Sequence, residues 1–160
     1  MQDNTLPVKT HAQSQENVAK QFVGTWRQVS SVQRMADGST RSNPMYGPGG
    51  VGYLIYTDAG RVSAMVMDPS RPHWKSQSAP TEGELRSAMN GLTAYVGTYE
   101  VNAEEGSVIH HVELDKVPNQ VGAHLKRFFT FSGGRLVLRA APPLPPGVVE
   151  YTITWERVEK

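Results

Sequence analysis

From Thr25 onward, apolar and polar residues alternate with a period of two, in short runs separated by glycine-containing turns. Successive strand side chains point to opposite faces, so this period marks β-strands with one buried face. The runs predict strands over Thr25–Met35, Val51–Thr57, Arg61–Met67, Thr93–Asn102, Ser107–Asp115, Ala123–Phe131, Arg135–Ala140 and Val148–Val158, with a short further one over Thr40–Pro44. Asp37-Gly38, Asp58-Ala59-Gly60, Glu104-Glu105-Gly106 and Ser132-Gly133-Gly134 separate β-prone runs as hairpin turns, which make neighbours antiparallel. One segment has helical spacing instead. Leu85, Ala88, Met89 and Leu92 follow Pro80-Thr81-Glu82-Gly83-Glu84, where Thr81 is an N-cap and Glu84 its capping-box partner. An open sheet of hairpin-linked strands has two unpaired edges, and closure removes them. The predicted fold is all-β, an antiparallel up-and-down β-barrel of about eight to nine strands with one short helix. A barrel of that size holds either its own side chains or one small ligand.

The same alternation sorts residues into faces. Val149, Tyr151, Ile153, Trp155 and Arg157 share the apolar face of the last strand, and Leu125, Arg127, Phe129 and Phe131 share that of another. Tyr95, Gly97, Tyr99 and Val101 align, as do Leu136, Leu138 and Ala140. On Ser107–Asp115, parity places Val108, His110, Val112 and Leu114 inside and His111 outside. Arg61–Met67 stays undecided, with Ser63, Met65 and Met67 on one face and Val62, Ala64 and Val66 on the other. Methionines there would either shape a pocket or fill core.

A chain of 160 residues suits one domain. Residues 1–21 are polar and mixed, predicting a flexible arm, with Val18 and Ala19 the hint of a short helix; the barrel domain is expected over 22–160. The prolines of 142–146 predict a stiff loop before the last strand. Sixteen basic against fifteen acidic residues give a net charge of +1, with no run of five or more like charges, so neither nucleic acid nor a membrane surface is an expected partner. No apolar run is long enough to span a bilayer. The absence of cysteine removes disulfides, thiolate nucleophiles and cysteine-ligated zinc.

Five histidines raise the question of a metal, yet adjacent His110 and His111 point to opposite faces and no pair has helical i, i+4 spacing. No metal is expected. No glycine-rich phosphate loop joins a strand to a helix and no Gly-x-Ser-x-Gly occurs, so neither a cofactor nor serine-hydrolase chemistry is expected. What remains is a pocket. Its candidate ligand-binding residues are Tyr53, Met65, Met67, His73, Trp74, Tyr95, Phe129 and Tyr151. His110, Arg127 and Tyr99 are the candidates for acid–base work, because imidazole titrates near neutrality, guanidinium keeps its charge and phenol donates hydrogen bonds. A buried Arg127 demands an anion, whether Glu113, Asp115 or a ligand carboxylate. The loop Asp68–Lys75 is either a lid carrying His73 and Trp74 or a surface loop anchored by Trp74.

Gly24-Thr25-Trp26, Gly52-Tyr53-Leu54-Ile55-Tyr56-Thr57 with Asp58-Ala59-Gly60-Arg61, Tyr95-Val96-Gly97-Thr98-Tyr99 and Val108-Ile109-His110-His111-Val112-Glu113 occur in this order. Together they resemble the bacterial and fungal lipocalin-like domain family, from about Phe22 to the C-terminus. The resemblance implies a calycin barrel with an internal cavity for a small, mostly apolar molecule. It also implies that Trp26 packs at the closed end beneath Arg157. Lack of the disulfide cysteines of secreted lipocalins weighs against an extracellular carrier. The expected compartment is the cytoplasm, or the periplasm or exterior if a leader has been trimmed. The expected function is binding of a small hydrophobic or aromatic molecule. Cofactor-free isomerisation, cyclisation, dehydration or lyase chemistry, a non-catalytic carrier or sensor, a filled assembly module and a homodimer all stay open.

Overall fold

A computed structural model describes residues 9–159, with side chains from residue 14 onward. Helix α1 (Lys9–Phe22) leads into β1 (Gly24–Met35), β2 (Thr40–Ser42), β3 (Val51–Tyr56) and β4 (Arg61–Met67). Helix α2 (Glu82–Asn90) precedes β5 (Leu92–Asn102), β6 (Ser107–Asp115), β7 (His124–Ser132), β8 (Arg135–Ala140) and β9 (Val148–Arg157). Each barrel strand pairs antiparallel with the next, and β9 returns to β1 from Trp26↔Arg157 to Met35↔Val148, closing an eight-strand barrel. The ninth strand, β2, lies beside the second half of β1. Strand bounds match the periodicity to within a residue or two. Thr81 caps α2 as expected, its hydroxyl accepting from Glu84 N while the Glu84 carboxylate accepts from Thr81 N.

In place of an arm, Lys9–Phe22 is a helix; residues 1–8 lie outside the described residues. Its last residue, Phe22, is fully buried and meets Tyr56, Phe129 and Phe131 edge-on at 5.2, 4.9 and 5.0 Å. Such aromatic pairs add stability beyond the area they bury. The side chain of Gln15 fastens α1 to the β5–β6 turn, accepting from Ala103 N at 2.7 Å. Beside it the Arg157 guanidinium stacks 4.2 Å from the Trp26 ring and donates to the carbonyls of Val23 and Gln21. A permanent cation over an indole face is favourable by roughly 0.5–2 kcal/mol. This end of the barrel is shut.

Of the three register shifts in the ladders, two overturn the facings expected from parity. Between Val96 and Gly97 the β5–β6 ladder jumps from Leu114 to Val112. The extra residue, Glu113, reverses the facing of the strand beyond it, so Leu114 is 66% exposed and Asp115 turns to the interior. A second shift, between Arg34 and Met35, buries Val148 and exposes Val149, where unbroken alternation places Val149 inside. On β4 the interior face is Val62, Ala64 and Val66. At Val66 the approach to β3 is tight, since a Cβ at Gly52 would sit 2.4 Å from Met65 O and 2.6 Å from Val66 Cγ2.

Candidate functional site

Aromatic side chains fill the barrel near α1, but toward the other end the packing stops and a cavity of about 900 Å³ begins. Its apolar wall includes Leu54, Ala64, Val66, Leu125, Leu138 and Ile153. Its mouth is ringed by Met45 and Tyr46 before β3, Arg71 after β4, Asn90 and Gly91 at the end of α2, Lys116 and Val117 after β6, and Pro145 before β9. The volume lies within the roughly 300–1,000 Å³ typical of small-molecule sites.

Of the residues singled out by sequence, His110, Arg127, Tyr95 and Tyr151 meet at this cavity. His110 is 1% exposed and both ring nitrogens are engaged, Nε2 with the Tyr56 hydroxyl and Nδ1 with the Tyr95 hydroxyl, each at 2.7 Å. Burial, with the Arg127 charge and then His111 adding to it, pushes the His110 imidazole down to about 3. Burial likewise pushes the Tyr95 phenol up to about 12 and Tyr56 well above its ordinary range. At neutral pH all three groups are uncharged. Tyr151 accepts from Asn43 Nδ2 at 2.8 Å and shares a 3.1 Å hydrogen bond with Ser31.

Arg127 Nη1 donates to Lys126 O at 2.9 Å, and among the described residues no carboxylate lies within 4.0 Å of its guanidinium. Glu113 is taken by Arg61 on the outer surface, in a two-pronged pair at 2.8 and 2.9 Å. Asp115 shares the cavity wall but accepts from Val117 N at 2.7 Å. Trp155 is also in this wall, while its indole N–H is buried within the protein and without a partner among the described residues.

The other expected residues lie elsewhere. Tyr53 and Met65 are 50% and 57% exposed on the outside of the barrel, because β3 and β4 bury the opposite faces. Met67 shares that outer parity, its sulfur accepting from Arg71 Nη2. Tyr99 faces inward but near the shut end, where its hydroxyl donates to Thr57 O and its ring packs on Tyr56. Phe129 belongs to the aromatic plug under Phe22. His73 and Trp74 are exposed, away from the cavity lining. From their loop it is Arg71 that reaches the mouth, donating to Ala88 O on α2 at 3.0 Å.

Sequence reasoning missed Tyr56, Tyr46, Asn43 and Arg71. Tyr56 follows from the parity of Leu54 once the inner face of β3 is known, whereas the loop residues carry no periodic signal. His111 sits outside against His124, Nδ1 to Nδ1 at 2.7 Å, with Glu100 3.4 Å from its Nε2. Among the described residues no three His, Cys, Asp or Glu side chains are grouped to hold a metal ion. No helix among them is long and apolar enough to cross a membrane.

No curated protein matches the sequence. A solved structure described as the REP1-NXSQ fatty acid transporter is similar to 86% of this chain and 96% of that chain, at 14% identity and a TM-score of 0.37. The model of the lipocalin-like domain matches residues 23–158, the whole of the closed barrel, and the chain therefore belongs to the lipocalin-like domain family.

Proposed function

We propose that the protein binds one small, mostly apolar organic molecule inside its barrel and does not transform it. The observation that carries this reading is the half-filled interior: one end is plugged by aromatic rings, while the other holds an open-mouthed, largely apolar cavity of about 900 Å³. Burial of a ligand's apolar surface there is worth about 25 cal/mol per Å² removed from water. The polar groups are few and fix orientation. Acid–base turnover would require a base with a free lone pair and a proton affinity near the working pH. His110 offers neither, since both nitrogens are occupied and protonation is suppressed to about 3. It is better suited to holding two phenols in place.

The test uses the neutral, apolar fluorophore N-phenyl-1-naphthylamine. It is expected to bind one per chain with enhanced emission, and to lose at least tenfold in affinity in a folded Ala64→Trp or Leu138→Trp variant, either of which fills the cavity from its wall. Binding that survives both plugs, or the absence of saturable binding to the wild type, would overturn the proposal.

A further inference from the structure

The hydrogen-bond chain Tyr56–His110–Tyr95 has a direction. The Tyr56 hydroxyl is buried, and His110 Nε2 is its sole hydrogen-bond partner among the described residues. Were Nε2 to carry the imidazole proton, it would donate to the Tyr56 oxygen and leave the phenol's own proton buried with no acceptor. Proteins avoid that arrangement. The satisfied alternative has Tyr56 donating to Nε2, which places the imidazole proton on Nδ1, where it donates to the Tyr95 oxygen. The Tyr95 oxygen is then filled as an acceptor from His110, and its own O–H has no acceptor among the described residues. Tyr95 lines the cavity.

The same wall carries Arg127, whose guanidinium has no carboxylate within 4.0 Å among the described residues. A fixed cation and an oriented phenol donor, in a largely apolar chamber whose acidic wall residues Asp68 and Asp115 are engaged by the backbone N–H groups of Ser70 and Val117, form a receptor for an oxygen anion, since charge-assisted hydrogen bonds are the strong ones and gain in a low-dielectric site. We infer that the cavity binds an apolar molecule bearing a carboxylate, with that carboxylate held inside the barrel by Arg127 and by the O–H of Tyr95, which His110 turns toward it. This rests on the proposed binding function and names its ligand class. His110 acts here as a positioning residue, and Tyr56 fixes its tautomer from the side away from the ligand.

Displacement of N-phenyl-1-naphthylamine by decanoate and by decanol separates the two levels of the argument. The alcohol has the same chain without the charge. Wild-type protein is expected to prefer decanoate by about tenfold or more, the range of one charge-assisted contact. Arg127→Met is expected to bring the ratio to near one, and Tyr95→Phe to lower it several-fold. Tyr56→Phe is expected to lower it as well, because the tautomer is no longer dictated; a purely structural role would leave the ratio intact. The inference fails if the fluorophore binds the wild type but decanoate does not displace it. It fails equally if decanoate shows no preference over decanol, or if Arg127→Met leaves the ratio unchanged. If the fluorophore itself does not bind, the underlying binding function is what has failed.

Discussion

Acidification from pH 7 to pH 4 is expected to cost the native fold on the order of 3 kcal/mol at one residue, His110. In the native barrel its imidazole stays neutral down to about 3, against an ordinary value of 6.5. Between those limits the unfolded chain takes up a proton at this position that the native chain refuses. Stability from this source is therefore complete above pH 6.5 and is lost steadily as the pH falls toward 3. The groups around His110 reinforce the refusal: two neutral phenols, and the positive charge of Arg127. Exposed carboxylates held below their usual range, such as Asp37 and Asp68, add acid sensitivity of their own, but they do so in any variant. Chemical denaturation of wild type and His110→Gln at pH 7 and pH 4 isolates the effect. The difference between the two proteins should shrink by that amount at the lower pH. Should Gln not fold there, the pair His110→Phe with Tyr56→Phe removes both the imidazole and the hydroxyl left behind. Parallel losses in wild type and variant would mean that His110 is not held neutral in the native state.

The second large effect is expected at Gly97. A Cβ built there would lie 1.8 Å from the carbonyl oxygen of His111, a distance no side chain reaches without moving the backbone. Gly97 stands at the β5–β6 register shift, so the two strands would have to part where the bulge turns Asp115 inward. Gly97→Ala is expected to destabilise by about 3 kcal/mol, the upper range for overpacking a tight interior. Gly83→Ala is the comparison. That residue lies in α2 with nothing within 4 Å of a new Cβ, and the substitution should be neutral or stabilising by about 0.5–1 kcal/mol. Urea denaturation of the three proteins measures both. Equal midpoints for Gly97→Ala and wild type would contradict the close approach.

The legibility of each feature in the sequence depends on the kind of contact that feature needs. Strands, turns and the capped helix α2 are encoded by neighbours a few residues apart, and they emerge from periodicity and turn chemistry. Inward faces are equally legible where the ladder is unbroken, as for His110, Arg127, Tyr95 and Tyr151. The facing of Leu114 and Asp115 was not, because the bulge is set by pairing with a strand whose register the sequence does not print. Tyr53 and Met65 failed for another reason: β3 and β4 carry apolar residues on both faces, so polarity could not choose between them. The link between His110 and Tyr56 joins residues 54 apart in sequence and belongs to closure itself. Arg71 reaches the mouth through hydrogen bonds to α2 and to its own loop, which no strand period announces.

The central claim is that the vacant half of the barrel is the place where a ligand sits. Methyl-resolved NMR of the protein titrated with decanoate tests it most directly, since methyls of known facing report from both sides of the same wall. Large shifts are predicted for Ala64, Val66, Leu125, Leu138 and Ile153, which line the cavity, with Val51, Ile55 and Leu114 on the outside unmoved. Shifts confined to the outer methyls, or spectra unchanged at saturating ligand, would contradict the account.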